Sequence, residues 1–148
     1  MKLLKFNVFM HLPGDPLFDE LKNINMPADD YAVFGSGPLW VRGIRQGKDI
    51  DILARGKAWQ KAVEGGAHDF TKTTNKLKCV FADGKIEVFD HWYPGEWNVN
   101  ELIDTADIVG GVRFVKLEHV LEWKRRMARE KDLEDIKLTE EYLKTRSL

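Results

Sequence analysis

Two aspartates that lie two positions apart, Asp49 and Asp51, have the spacing in this chain that most directly suggests chemistry. They belong to residues 48–54, where charged and apolar residues alternate in a pattern that predicts a half-buried β-strand. Residues two apart on a strand point to the same side, so the two carboxylates would lie side by side and repel each other. Such a pair suits a hard cation, Mg²⁺ or Mn²⁺. The alternative is a solvated strand face with no ligand.

A second feature is the sequence Gly35-Ser36-Gly37-Pro38, which follows a short apolar segment at residues 31–34. The pattern predicts a buried strand that ends at the first glycine and a helix that begins just after it. A turn of this kind offers unpaired backbone N–H groups and the positive end of a helix dipole to a phosphate. Ser36 adds a hydroxyl donor. Gly-Ser turns are common between strands and helices, so this feature is weak when taken alone.

The spacing between the two features strengthens both. Residues 37–48 separate Ser36 from Asp49, which leaves room for one short helix, predicted at residues 39–44, and a return to the neighbouring strand. We therefore expect the glycine-serine turn and the carboxylate pair to meet at one edge of a sheet. Arg42 and Arg45 lie in and after the intervening helix, where they could contact a phosphate or an acceptor, or form surface salt bridges.

The sequence from Phe34-Gly35-Ser36-Gly37 to Asp49-Ile50-Asp51-Ile52 resembles the signature of the nucleotidyltransferase superfamily, whose fold is shared with DNA polymerase beta. Residues 114–143 also resemble the C-terminal helices of small bacterial and archaeal members, which often carry Trp-Lys and then Arg-x-Lys-Asp-x-x-Asp-Ile. Here those positions are Trp123-Lys124 and the segment from Arg129 to Ile136. The two matches cover about half of the chain.

The resemblance implies metal-dependent transfer of a nucleoside monophosphate from an NTP such as ATP to a hydroxyl group. The acceptor is left open between a small molecule, a protein and an RNA. In this interpretation Asp49 and Asp51 hold the metal. The nucleotide would be bound by five residues, namely Gly35, Ser36, Gly37, Arg42 and Lys124.

The family also has a third metal-binding carboxylate on a later strand, and two residues are candidates for it. Glu87 is preferred because its neighbours Ile86 and Val88 are apolar and claim the opposite, core-facing side of the predicted strand. Asp90, just beyond that strand, is the alternative. Either carboxylate could instead be an exposed side chain of a hairpin.

Lys124 also has two possible roles. Helical spacing places it on one stripe with Leu117, Val120 and Leu121. A lysine on an apolar stripe must reach an anion or extend its ammonium group to water at the rim. The first role would be a triphosphate contact, and the second would have no part in binding.

The remaining elements predict an α+β fold in which a small mixed β-sheet is flanked by helices. Asp83-Gly84 marks a hairpin between residues 77–81 and 85–89, and Asp15-Pro16 marks the start of a helix. Further helices are predicted at residues 56–64 and in a C-terminal region at about 117–145. Residues 2–10 are apolar and fit either a strand or a helix. We interpret residues 1–148 as one domain.

Composition limits the classes of protein. The 148 residues carry a formal net charge of -1, which argues against general electrostatic binding of nucleic acid. There is one cysteine, and no apolar run is long enough to span a membrane, so we expect a cytoplasmic protein with no membrane partner. The competing interpretation is a catalytically weak nucleotide-binding or regulatory module, such as a component of a toxin–antitoxin system. The two differ in whether magnesium-dependent transfer accompanies nucleotide binding.

Overall fold

The structure is a computed structural model that describes residues 11–146. The apolar segment at residues 2–10 lies outside the described residues. The strands are β1 (Tyr31–Val33), β2 (Ile50–Ala54), β3 (Ala67–Phe70), β4 (Leu77–Phe81), β5 (Ile86–Phe89), β6 (Asp107–Val109) and β7 (Val112–Phe114). The α-helices are α1 (Pro16–Asn23), α2 (Gly37–Val41), α3 (Gly56–Gly65), α4 (Val99–Asp104), α5 (Leu117–Met127) and α6 (Glu130–Arg146).

The strands form one sheet in the order β3-β4-β5-β2-β1-β7-β6. Two of its pairings, β1 with β7 and β2 with β5, are parallel, and the other four are antiparallel. A mixed sheet with helices packed on it confirms the predicted α+β fold class. None of the helices within residues 11–146 combines the length and the apolar character needed to cross a membrane.

The central strands separate two hydrophobic cores, one on each face of the sheet. In β2, Ile50, Ile52 and Ala54 belong to the first core, which also contains the buried side chains of α1 and α3. Leu53 belongs to the second core, which contains those of α4 and α5. Because side chains alternate along a strand, Asp51 lies on the same side as Leu53. The alternation predicted from the sequence therefore directs this carboxylate toward the face that carries α4 and α5.

Local signals explain where several elements begin. The Asp15 side chain accepts a hydrogen bond of 2.9 Å from the backbone N–H of Leu17, and proline follows it at the first position of α1. The Asn98 side chain accepts one of 3.1 Å from Glu101 N–H at the start of α4. Both caps satisfy donors that the first turn of a helix leaves unpaired. The predicted hairpin is present, since β4 and β5 are antiparallel neighbours joined at Ala82–Gly84.

Three strands were not expected from the sequence. All four residues of β3 are exposed at the sheet edge, so they carry no apolar alternation. β6 and β7 have three residues each and flank the glycine pair Gly110-Gly111. Such short strands are held by backbone pairing to their neighbours, and a pattern search over longer windows does not detect them. The first helix after Ser36 is also shorter than expected.

The C-terminal helical region is two helices that meet at Ala128. This residue ends α5 with φ 51° and ψ 31°, in the left-handed region, and its N–H donates to the carbonyl of Lys124. Glycine usually occupies such a position because a Cβ atom is unfavourable there. The turn folds α6 back against α5, which brings residues from both helices to the same end of the sheet.

Replacing Ala128 with glycine is therefore expected to raise the free energy of unfolding by about 1 kcal/mol, because it relieves the left-handed backbone of its Cβ atom. Urea denaturation followed by circular dichroism would measure the change. Lys61→Gly, at an exposed position inside α3, is the matched control and should lower stability by a similar amount. Loss of stability in both variants would contradict the assigned conformation of Ala128.

Candidate active site

A cavity of about 770 Å³ lies beside the sheet, on the face toward which Asp51 points. Gly35, Ser36, Asp49 and Asp51 all line it, so the structure brings together the two features that the 37–48 spacing relates. Glu87 and Lys124 line it too. Its volume lies within the range of cavities that bind cofactors and small substrates.

The glycine-serine turn meets the carboxylates because β1 and β2 are antiparallel neighbours. The backbone N–H of Phe34 donates to the carbonyl of Asp51 at 2.8 Å, directly before the turn. Gly35 then takes φ +59°, and a Cβ atom added there would lie 2.8 Å from Asp51 Oδ2. Both the backbone conformation and the close approach of the carboxylate require glycine at this position.

The carboxylates come from two parallel strands. Asp51 in β2 is the register partner of Glu87 in β5, and Asp49 directly precedes β2. Burial, followed by the negative charges of Glu87 and Asp49, raises the pKa of Asp51 to about 6. Lys78 and Lys131 act in the opposite direction. Asp51 thus has negative neighbours that the surrounding lysines do not fully compensate.

Of the two candidates for a third carboxylate, the structure brings Glu87 to the cavity. Asp90 is not among the residues that line it, and its half-exposed side chain instead accepts from the ring of His91 at 3.1 Å. Strand parity separates the two, since Glu87 faces the same side as Asp51. Glu87 is itself paired with Lys78, whose Nζ donates to Glu87 Oε2 at 2.6 Å.

The carboxylate oxygens of Asp49, Asp51 and Glu87 are chemically suited to a hard divalent cation, although the three groups do not converge on a single point. Within residues 11–146, no group of three or more His, Cys, Asp or Glu side chains is already gathered as a metal site. Asp49, Asp51 and Glu87 nevertheless line one cavity, and burial, followed by the negative charges of the other two carboxylates, raises the pKa of Asp51. Carboxylate oxygens on rigid strands are ligands that magnesium accepts.

The hydroxyl of Ser36 is held between two cations. Arg45 Nη2 donates to Ser36 Oγ at 2.6 Å, and Lys124 Nζ donates to it at 3.3 Å. Ser36 stands at the N-cap position of α2, but its side chain makes no capping hydrogen bond. A serine hydroxyl has two acceptor sites and one donor. With both acceptor sites used by cations, its hydrogen can be donated to an anion in the cavity.

Lys124 is buried, with 1% of the residue exposed, so the alternative of a lysine extending to water at the rim is wrong. Its Nζ lies 2.9 Å from Asp135 Oδ2 and 3.6 Å from Asp132 Oδ1, both on α6. Asp135 also accepts from Arg45, at 2.6 and 3.1 Å. Two buried carboxylates thus hold the two cations that contact Ser36.

Asp132 has a further partner in Arg129, the residue that directly precedes α6. Both the backbone N–H and the guanidinium of Arg129 donate to the Asp132 carboxylate. Burial by itself would raise the pKa of Asp132, but these hydrogen bonds and the charge of Lys124 lower it below its ordinary value. The carboxylate is therefore ionised near neutral pH, as the pairing with Lys124 requires.

Two predicted nucleotide-binding residues do not line the cavity. The Arg42 guanidinium forms an ion pair with Asp107 and donates to the carbonyl of Pro38, and only 4% of the Arg42 side chain is exposed. Gly37 is buried in the first turn of α2, where an added Cβ would lie 2.2 Å from Val33. Gly37 thus packs within the turn and Arg42 holds its Pro38 carbonyl, whereas Arg45 lines the cavity and contacts Ser36.

Sequence analysis did not identify Asp132, Asp135 and Lys78 as site residues. The first two carried a detectable signal, because carboxylates three apart on a helix share a face and Lys124 interrupts an apolar stripe one helix earlier. Their pairing across the turn at Ala128 depends on the angle between two helices, which spacing alone does not give. Lys78 reaches Glu87 across the hairpin, and no pattern in β4 distinguishes it.

Comparison of the chain with protein-family models, with curated proteins and with solved structures found no match.

The pKa of Asp51 predicts a pH-dependent stability in the absence of divalent cations. Its folded-state value of about 6 exceeds the ordinary value of 3.8, so the folded protein holds more protons between these values. The free energy of unfolding should therefore fall as pH rises from about 4 to 7. Asp51→Asn removes the repulsion and should be more stable than the unmodified protein at pH 7.5, by about 1–3 kcal/mol.

Denaturation at pH 4, 5, 6, 7 and 8 in a chelating buffer would measure this difference. Asp83→Asn is the control, because it neutralises an exposed hairpin carboxylate outside the cavity. The stability gain of Asp51→Asn should shrink toward pH 4, where the carboxyl is protonated anyway. A strongly destabilised Asp51→Asn protein would mean that the carboxylate has a structural partner.

The buried network predicts a large effect of Lys124→Met. Removing the ammonium group leaves the negative charges of Asp132 and Asp135 only partly neutralised. This should lower the free energy of unfolding by about 3 kcal/mol. Arg125→Met is the matched control on the same helix, since its partner Glu140 and Arg125 itself are each 54% exposed. That variant should lose less than about 1 kcal/mol. Equal losses in urea denaturation would show that the network does not stabilise the packing of α6.

Proposed function

We propose that the protein is a magnesium-dependent nucleotidyltransferase that moves a nucleoside monophosphate from an NTP to a hydroxyl acceptor. The observation that carries the proposal is one cavity with two chemically different walls. Ser36, Arg45 and Lys124 form a hydrogen-bonding cationic wall. Asp51 and Glu87, as register partners on parallel strands, form an anionic wall.

The cationic wall suits the terminal phosphates of the donor. Arg45 and Lys124 carry positive charge, and the free hydrogen of the Ser36 hydroxyl can be donated to a phosphate oxygen. Asp135 keeps both cations in place before the nucleotide arrives. Prior positioning of this kind lowers the entropy cost of binding and orients the triphosphate toward the carboxylates.

The anionic wall suits the metal that accompanies a triphosphate. Asp49, Asp51 and Glu87 would hold Mg²⁺, or Mn²⁺, because phosphates and carboxylates would otherwise repel each other. When bound, the metal neutralises phosphate charge and lowers the pKa of the acceptor hydroxyl. The acceptor hydroxyl releases its proton to water and its oxygen forms a bond to the α-phosphorus. The bond between that phosphorus and the oxygen that bridges to the β-phosphate breaks, and pyrophosphate leaves with the bridging oxygen. The side chains supply position and charge, with no covalent protein intermediate.

The test is to incubate the purified protein with each α-labelled NTP, Mg²⁺ and a cell extract, and to follow the label. Transfer into a small molecule, a protein or an RNA would identify the acceptor class. Asp49→Asn and Asp51→Asn should each abolish transfer, whereas Asp83→Asn should not affect it. Absence of any magnesium-dependent NTP binding by the unmodified protein would contradict the proposal.

A second function is favoured by one contact. Lys78 Nζ forms an ion pair with Glu87 Oε2 at 2.6 Å. Its ammonium group supplies positive charge at the residue that the resemblance assigns as a metal ligand. A nucleotide-binding or regulatory module with weak catalysis, such as a toxin–antitoxin component, would tolerate that arrangement. Such a protein would bind Mg·NTP with the same dependence on Ser36 but would transfer no label in any extract.

The role of Glu87 can be separated from that of Asp90 by a matched pair of variants. Glu87→Gln should lower the transfer rate by about 100-fold or more if it is a metal ligand, following the scale of electrostatic contributions to catalysis. Asp90→Asn removes a neighbouring carboxylate that does not line the cavity, and it should retain most of the activity. Single-turnover assays at saturating Mg·NTP would measure both. The opposite result would assign the third ligand to Asp90.

A further inference from the structure

One part of the cavity is neither cationic nor anionic, because aromatic side chains line it: Phe89, Trp92, Tyr93 and Trp123. Three of these rings pack on one another as a wall. Trp92 is stacked on Phe34, with ring centroids 4.2 Å apart and planes inclined by 1°. The ring centroids of Phe89 and Trp123 lie 5.6 and 5.4 Å from that of Trp92, in edge-to-face arrangements. Phe34, Trp92 and Trp123 also pack in the second core, so little of their surface is open to a ligand.

Tyr93 differs from the rings of the wall. It is 48% exposed although it lines the cavity, and within residues 11–146 no other aromatic ring is paired with it. A half-exposed aromatic side chain at the mouth of a cavity leaves apolar surface open to water. A flat ligand that stacks on the ring would cover that surface.

The backbone that carries Tyr93 is held firmly. The indole N–H of Trp123 donates to the carbonyl of Tyr93 at 2.9 Å, and that of Trp97 donates to the carbonyl of Pro94 at 2.7 Å. Arg126 adds a longer contact to Pro94, and its guanidinium lies over the Trp97 ring at 4.5 Å. The exposure of the Tyr93 ring is therefore a feature of an anchored loop, and the ring is presented in a defined place.

The order of groups along the cavity indicates what the ring would meet. Antiparallel pairing of β1 and β2 places Ser36 near the start of β2, beside Asp49. Asp51 and Glu87 come next, and Phe89 lies two residues, or about 7 Å, beyond Glu87 on the same side of β5. The loop with Tyr93 follows. Along β2 and β5 the order of groups is thus cationic, anionic and aromatic. Trp123 joins the aromatic rings to the cationic wall, since Lys124 Nζ lies 5.1 Å from its ring centroid.

A nucleoside triphosphate has the same order of parts. Its terminal phosphates are anionic, its α-phosphate is the group attacked, and its base is a flat ring at the opposite end from the phosphates. With the terminal phosphates at Ser36 and Lys124 and the α-phosphate at the carboxylates, the base is directed toward the aromatic end. Every base has a face that can stack on an aromatic side chain.

Hydrogen bonds around His91 argue for stacking without strong discrimination among bases. The Nδ1 atom of His91 lies 3.1 Å from Asp90 Oδ1, and the Nε2 atom lies 3.2 Å from the Thr74 hydroxyl. Both ring nitrogens already have partners, so His91 lines the aromatic end without a free polar atom for the edge of a base. Contacts of an aromatic ring with the face of a base, in turn, are similar for all four bases.

We propose that Tyr93 is the stacking platform for the nucleobase of the donor NTP, and that it binds purine and pyrimidine nucleotides alike. This inference rests on the proposed function, because it places the triphosphate at the cationic wall. The ligand class is a nucleoside triphosphate with its base on the ring of Tyr93, opposite the end that binds phosphate.

The test compares binding of ATP, GTP, CTP, UTP and inorganic tripolyphosphate, each with Mg²⁺, by isothermal titration calorimetry. Tyr93→Ala should weaken binding of each NTP by about 5- to 100-fold, the range for loss of one base–aromatic stack. It should leave tripolyphosphate affinity unchanged, since that ligand has no base. Tyr93→Phe keeps the ring and should recover most of the lost affinity. Phe70→Ala is the matched control, because Phe70 is an exposed aromatic residue outside the cavity.

The outcomes separate this inference from the proposed function. If Ser36→Ala weakens NTP and tripolyphosphate binding while Tyr93→Ala binds every NTP normally, the platform is excluded and the phosphate site stands. Equal weakening of NTP and tripolyphosphate by Tyr93→Ala would also overturn the platform, since a general disturbance of the cavity would explain it. If the unmodified protein binds neither ligand, the proposed function fails and the platform fails with it.

Discussion

The ammonium group of Lys124 is enclosed by protein, and a charge in that position must be compensated by nearby groups of opposite sign. Asp132 and Asp135 provide this compensation, and they come from α6, the helix that follows the turn at Ala128. The pairing fixes α6 against α5 and also holds Arg45 beside Ser36. The packing of α6 on α5 and the geometry of the glycine-serine turn thus depend on the same few charged side chains.

The two walls of the cavity are in opposite electrostatic states. Around Lys124, two buried carboxylates are paired with three cations, so the region keeps positive charge. Around Asp51, burial and then the negative charges of Glu87 and Asp49 raise the pKa of the carboxyl, against the smaller opposing effect of two lysines. A ligand that carries both a polyanion and a divalent cation would complement both regions at once. This asymmetry is the physical basis of the proposal that the cavity binds a metal-bound triphosphate.

Sequence reasoning reached the parts of this arrangement that depend on local periodicity. Alternation in residues 48–54 placed Asp51 and Leu53 on one face, and strand parity separated Glu87 from Asp90. It assigned Arg42, and not Arg45, to the nucleotide, because the side of the sheet that each reaches depends on how a five-residue helix ends. The partners of Lys124 were also out of reach, since an interhelical contact is set by the turn at Ala128 and not by any repeat within α5 or α6.

The contact of Arg45 with Asp135 joins positions 90 residues apart, and that of Lys124 with Ser36 joins positions 88 apart. On a ribosome that adds about 5–20 residues per second, the glycine-serine turn is complete several seconds before α6 exists. The carboxylate wall needs only β2 and β5, so it can form during that interval. A nascent chain would then carry its anionic wall before its cationic wall is complete. Synthesis thus separates the two halves of the cavity in time, and α6 joins them.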